Sequence, residues 1–99
     1  MEVFLANVGN PDFGQNPERP LPGTLSKIWH PVASYQEASE ACRRYIEDNN
    51  LGGGNWCGGQ IIDGDPRGAR VAYNGRVFRG RAYKAGQEVL YEPGRSTKP

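Results

Sequence analysis

The sequence predicts an α+β domain: a single helix packed on an antiparallel sheet, in the order ββα followed by a β-meander. Three observations carry this expectation. Residues 32–51 form the one long stretch without Gly or Pro, in a chain where 22 of 99 residues are one or the other. Short apolar runs on either side are bounded by Gly, Pro, Asn and Asp, as strands are. Asn74-Gly75, set between two such runs, is a strong short-range hairpin signal. Residues 1–92 read as a single globular domain with a long Gly/Pro loop at 9–23, and residues 93–99 as a flexible tail.

The elements follow in order. Residues 2–8 form a short apolar run ending at Gly9, which favours a buried strand. Seven of the fifteen positions in 9–23 are Gly or Pro, so no regular element forms there, and loops of that length are commonly functional. Residues 24–33 read as a second strand, with Pro31 placing its end at a sheet edge or a bulge. In the helix, Ser34 and Glu37 fit a capping box in which the Ser34 hydroxyl accepts from the Glu37 amide and the carboxylate reaches back to the Ser34 amide. Ala38, Ala41, Cys42, Tyr45 and Ile46 make one apolar stripe, and Asn49-Asn50 suits a left-handed C-cap. Residues 60–62, 69–73, 76–84 and 87–92 supply the meander. A two-residue type I′ turn at Asn74-Gly75 would pair Tyr73 with Arg76 and Arg70 with Arg79. A sheet with one helix leaves its other face open, to be covered by the 9–23 loop, a second copy in a homodimer, or a partner.

The charge is unevenly placed. Residues 1–66 hold four cations against nine anions, a net of −5, and residues 67–99 hold eight against two, a net of +6. Such asymmetry either presents a face to an acidic partner or lets the two halves neutralise each other in the fold. The most informative stretch is 70–84. Arg70, Tyr73, Arg76, Arg79, Arg81 and Lys84 are its candidate binding residues, because guanidinium groups held together against their own repulsion suit carboxylate or phosphate. Tyr73, Phe78 and Tyr83 interleave with them, as base stacking on a sheet would require. The structural alternative makes the aromatics the core face of the hairpin and the arginines guards of a sheet edge.

Catalytic chemistry is poorly supplied. The sole histidine, His30, sits beside Trp29 and Pro31, and Cys57 in Asn-Trp-Cys-Gly-Gly is the better nucleophile of the two cysteines. Cys42 falls on the apolar stripe. One His and two Cys match no zinc spacing, and Asp63-Gly64-Asp65 lacks the rest of a calcium loop and reads as a turn. Gly52-Gly53-Gly54 ends a helix where a phosphate loop would open one. Neither a metal nor a cofactor is expected. An RNA-recognition fold would need a second helix and a second aromatic near Arg79-Gly80-Arg81-Ala82-Tyr83.

Two segments resemble a known group when taken together. The capped helix from Ser34 to Leu51, followed by Gly54-Asn-Trp, Gly59 and Ala72-Tyr-Asn-Gly-Arg-Val-Phe78, is similar to small uncharacterised bacterial proteins in which such a helix leads to a Tyr-Asn-Gly-Arg-Val-aromatic hairpin. The resemblance covers about half the chain and implies a context, the accessory proteins of phages, plasmids and other mobile elements. It implies no activity; proteins of that kind act by binding, as anti-defence inhibitors do.

The expected function is accordingly a non-catalytic binding module, an inhibitor or accessory protein engaging an acidic protein surface. A nucleic-acid-binding module using the 70–84 hairpin comes second, and a Cys57-dependent enzyme third. A protein is the first expected partner, nucleic acid the second, and no membrane contact is expected. No apolar stretch approaches the length of a membrane span, no secretory signal opens the chain, and two cysteines make no disulfide scaffold, so a cytoplasmic protein is expected.

Overall fold

A computed structural model describes residues 1–81 and 86–93. Six short strands, β1 (Glu2–Leu5), β2 (Ile28–Pro31), β3 (Gln60–Ile62), β4 (Ala69–Val71), β5 (Val77–Arg79) and β6 (Val89–Tyr91), form one antiparallel sheet in the order β2-β1-β3-β4-β5-β6. The helix α1 (Tyr35–Asp48) packs on one face, against β1, β4 and β6. The α+β architecture is therefore the one expected, with strands shorter than the apolar runs that contain them.

Local chemistry explains α1. Ser34 is extended, and its Oγ accepts from the Glu37 amide at 3.1 Å. The Glu37 carboxylate reaches one residue further back than expected, accepting from the Ala33 amide at 3.0 Å. At the other end Asn50 takes φ +53°, and the Leu51 amide closes onto the Ile46 carbonyl at 2.9 Å, a left-handed stop that folds Leu51 into the core. Ala38, Cys42, Tyr45 and Ile46 are buried as the stripe predicts, together with Ser39; Ala41 is half-buried. Beneath them lie Val3, Leu5, Ile61, Ala69, Val71 and Val77, the alternate residues of the central strands.

The hairpin departs from expectation by one residue. Its strands pair Val71 with Val77, Arg70 with Phe78 and Ala69 with Arg79. The loop holds three residues, not two: the Gly75 amide donates to the Ala72 carbonyl, and Gly75 alone takes a left-handed φ of +92°. The helix selects this turn, because Ser39 Oγ donates to the Gly75 carbonyl at 2.6 Å. A one-residue slip moves every side chain to the other face, so Arg70 and Arg79 are not neighbours but lie on opposite faces of the sheet. Nor is β5 an edge that needs guarding, since it lies between β4 and β6. Gly75→Ala should destabilise the fold by more than about 1 kcal/mol, because an L-residue at this φ is strained and its Cβ would stand 3.0 Å from both Ser39 Oγ and Pro93 Cγ. Urea unfolding of the variant measures this.

The 9–23 loop carries one 3₁₀ turn, Pro11–Phe13. It is tied to the chain that follows β1, where the Gly9 amide meets the Asn16 and Arg19 carbonyls and the Leu21 amide donates to Asn7 Oδ1.

Candidate binding face

The face opposite α1 carries a row of side chains set by the strand register: Trp29, Phe4, Gln60, Arg70, Phe78 and Val89. Trp29 and Phe4 pack with ring centroids 4.9 Å apart and planes tilted by 42°, and Trp29 is 42% exposed. Ile62, 56% exposed, stands one step along β3 from this row. Gly80, at φ +108°, breaks the strand alternation and returns Arg81 to this side, where it packs over Gly68. A groove of about 380 Å³ results, lined by Phe4, Trp29, Ile62, Asp65 and Arg81, with Arg70 outside it.

Arg70, Arg76 and Arg81 thus share the open face. Arg76 is paired with Glu92 at 3.4 Å. The side chains of Arg70 and Arg81 make no hydrogen bond or ion pair among the described residues. Gln60, in the same row, holds its Oε1 buried without a hydrogen-bond partner among those residues.

Two of the candidate residues are turned elsewhere. Tyr73 stands at the hairpin tip on the helix side; its hydroxyl donates to the Leu51 carbonyl at 3.0 Å, and the Arg43 guanidinium lies 5.4 Å from its ring centre. Arg79 is part of the structure's interior wiring. Its Nη1 donates to Asp63 Oδ2 and to the Gly68 carbonyl, each at 3.0 Å, and its Nη2 donates to the Tyr35 hydroxyl at 2.7 Å. The Tyr35 hydroxyl in turn donates to Asp63. Burial alone would raise the Asp63 pKa, but the hydrogen bonds from Tyr35, the Asp65 amide and Arg79 outweigh it and hold the carboxyl below its usual range. Asp65 is held low as well, chiefly by the forked contact of Arg67. Asp63 and Asp65, at the end of the acidic half, therefore neutralise Arg67 and Arg79 of the basic half; Arg70 and Arg81 are outside that exchange. Lys84 and Tyr83 lie outside the described residues.

Among the described residues no hydrogen bond joins Cys57 to His30. Trp56, beside Cys57, bridges to Asn7 and sits in the core beneath α1. His30 lines a groove on the helix side. Burial raises the Cys57 thiol pKa, with Lys27 offsetting part of the effect, which leaves the protonated thiol at neutral pH. Cys42 is fully buried, its thiol pushed up to about 12. Asp63-Gly64-Asp65 is a turn, closed by the Asp65 amide on Asp63 Oδ1 at 3.0 Å. Among the described residues, no three His, Cys, Asp or Glu side chains converge as a metal site, and no helix is long and apolar enough to cross a membrane.

Trp29, Phe4 and Ile62 are the binding-face residues that the sequence reading passed over. A signal for Phe4 was present: an unbroken apolar run such as Val-Phe-Leu-Ala puts apolar groups on both faces of its strand. Against protein-family models, curated proteins and solved structures the chain finds no match.

Proposed function

We propose that this chain is a non-catalytic binding module whose helix-free sheet face engages an acidic surface on a partner protein. The observation that supports this most is the joining, on the face opposite α1, of a tilted Trp29–Phe4 ring pair with two arginines, Arg70 and Arg81, whose side chains have no acid partner among the described residues. Aromatic and arginine side chains carry most of the energy at protein interfaces, and an arginine left without an internal acid favours a carboxylate brought by a partner. The likeness to mobile-element accessory proteins supports a role in which occupying the partner, as an inhibitor does, is itself the output. A cytoplasmic setting belongs to the same reading, because Cys42 and Cys57 are both free thiols.

The test is a titration of the protein against a labelled peptide alternating Glu with Leu and against a single-stranded oligothymidylate, at about 50 and 200 mM salt. The acidic peptide should bind. The double variant Arg70→Glu/Arg81→Glu should lose about tenfold or more, equivalent to about 1.4 kcal/mol, with unfolding unchanged. Peptide binding indifferent to both reversals would overturn the assignment. Oligothymidylate binding that collapses at the higher salt, without peptide binding, would replace it with the nucleic-acid reading.

A further inference from the structure

A second surface lies on the other side of the molecule, with the opposite charge. Because α1 rests on β1, β4 and β6, a groove of about 360 Å³ stays open between the helix and β2. Its floor is apolar, made by Leu5, Val32, Ala41 and Tyr45; its rim carries Glu37, Glu40 and Asp48 against Arg44 and His30. The groove runs beside an edge strand, for β2 pairs only with β1.

The backbone of that edge is partly unspent. The Val32 amide donates to the Met1 carbonyl at 2.9 Å, which sets the alternation of the β1–β2 ladder. Ile28 and His30 turn their amides and carbonyls to β1. Trp29 turns its amide and carbonyl away from the sheet, and Pro31 offers a carbonyl without an N–H. Lys27, at φ +63°, ends the extended run on the other side. The edge is thus too short and too interrupted for open-ended strand addition, yet it keeps one donor and two acceptors for a short, single-register guest.

We propose that this edge and groove form a docking site for an extended basic segment of a partner protein. The segment lies along β2 and places one lysine or arginine in the groove. Its alkyl stem covers Leu5, Val32 and Ala41, and its cation lies against Glu40, with Glu37 and Asp48 adding negative charge at the two ends of the rim. Long cationic side chains suit a site with an apolar floor and a carboxylate rim, and strand addition supplies the backbone contacts. The three carboxylates outnumber the guanidinium of Arg44, so the rim selects against acidic guests. This site shares only Trp29, through its backbone, with the sheet face, and it does not depend on the arginines there.

The experiment uses the full chain and a labelled peptide of about seven residues alternating Lys with Thr, a typical strand length. Two controls replace every Lys with Glu, or the central residue with Pro. Fluorescence anisotropy should show the Lys peptide binding and both controls weaker by about tenfold or more. Glu40→Lys with Asp48→Lys, both exposed positions, should weaken the Lys peptide to a similar degree while leaving the urea unfolding curve in place. Arg70→Gln/Arg81→Gln should leave it unchanged, which separates this site from the sheet face. Failure of the Lys peptide to bind, equal binding of the Pro control, or indifference to the two charge reversals would each overturn the proposal.

Discussion

Replacing Asn7 with alanine should cost the fold about 3–4 kcal/mol, the largest single-residue loss expected outside the hydrophobic core. Asn7 is 1% exposed, and its side chain joins three parts of the chain. Nδ2 donates to Thr24 Oγ1 at 3.0 Å and to the Tyr45 hydroxyl at 2.7 Å, while Oδ1 accepts from the Leu21 amide at 2.7 Å. Both hydroxyls are themselves committed as donors, Thr24 to the Leu21 carbonyl and Tyr45 to the Leu25 carbonyl. The amide orientation is therefore fixed by its surroundings. Alanine would leave the Leu21 amide without its acceptor and both hydroxyls without their donor, at about 1–3 kcal/mol for each group that stays buried and unsatisfied, with a cavity in addition. At about 4–8 °C per kcal/mol for a domain of this size, the melting temperature should fall by more than about 12 °C. Asn7→Asp is the informative companion. It keeps the volume but presents an acceptor to two hydroxyls already used as donors, so it should be nearly as damaging. Melting curves of both variants, with glutamyl-endopeptidase cleavage after Glu18 as a probe of the loop, check this. A loss below about 1 kcal/mol would mean that the loop is anchored elsewhere.

The Asn7 network also shows where sequence reasoning runs out. Asn7 falls inside the 2–8 run, where it reads as one more strand residue with nothing to mark it as a hub. Its burial depends on Tyr45, 38 positions away, and no local pattern contains that contact. The helix was legible because capping and stripe are local: Ser34, Glu37, Asn50 and the apolar spacing are interpretable within one segment. Strand existence was legible for the same reason. Strand register was not, because Asn74-Gly75 admits both a two-residue and a three-residue loop. The choice falls to the contact of Gly75 with Ser39, made across the core. That single residue of slip decides which arginines belong to the binding face. Arg70 stays on the open side, and Arg79 goes beneath the helix.

Arg79 should accordingly behave unlike Arg70 and Arg81 in every assay that separates folding from binding. Its side chain is 13% exposed and that of Asp63 only 3%, and together with Tyr35 they tie the first turn of α1 to β5 and the turn after β3. Removing one member of a buried ion pair strands the other, at about 3–5 kcal/mol. Because this pair lies near the surface, Arg79→Met should fall at the low end of that range, about 3 kcal/mol. Asp63→Asn should cost less, since the amide still offers an oxygen to Arg79 and Tyr35. The pH dependence has a definite sign. The folded-state pKa of Asp63 is lowered, so its contribution is complete above its unfolded value of about 3.9 and is lost as pH falls below that value, through the folded one. Wild type should therefore lose stability below about pH 4 more steeply than Asp63→Asn, and the two curves should converge as acid is added. Parallel curves would show that the ion pair contributes nothing net. For function the consequence is specific: loss of partner binding in Arg79→Met should track the unfolded fraction and recover at lower temperature. Loss in Arg70→Glu/Arg81→Glu should persist in a fully folded protein. If Arg79→Met proves as stable as wild type yet fails to bind, Arg79 belongs to the contact surface after all, and that surface must extend around the sheet end toward Tyr35.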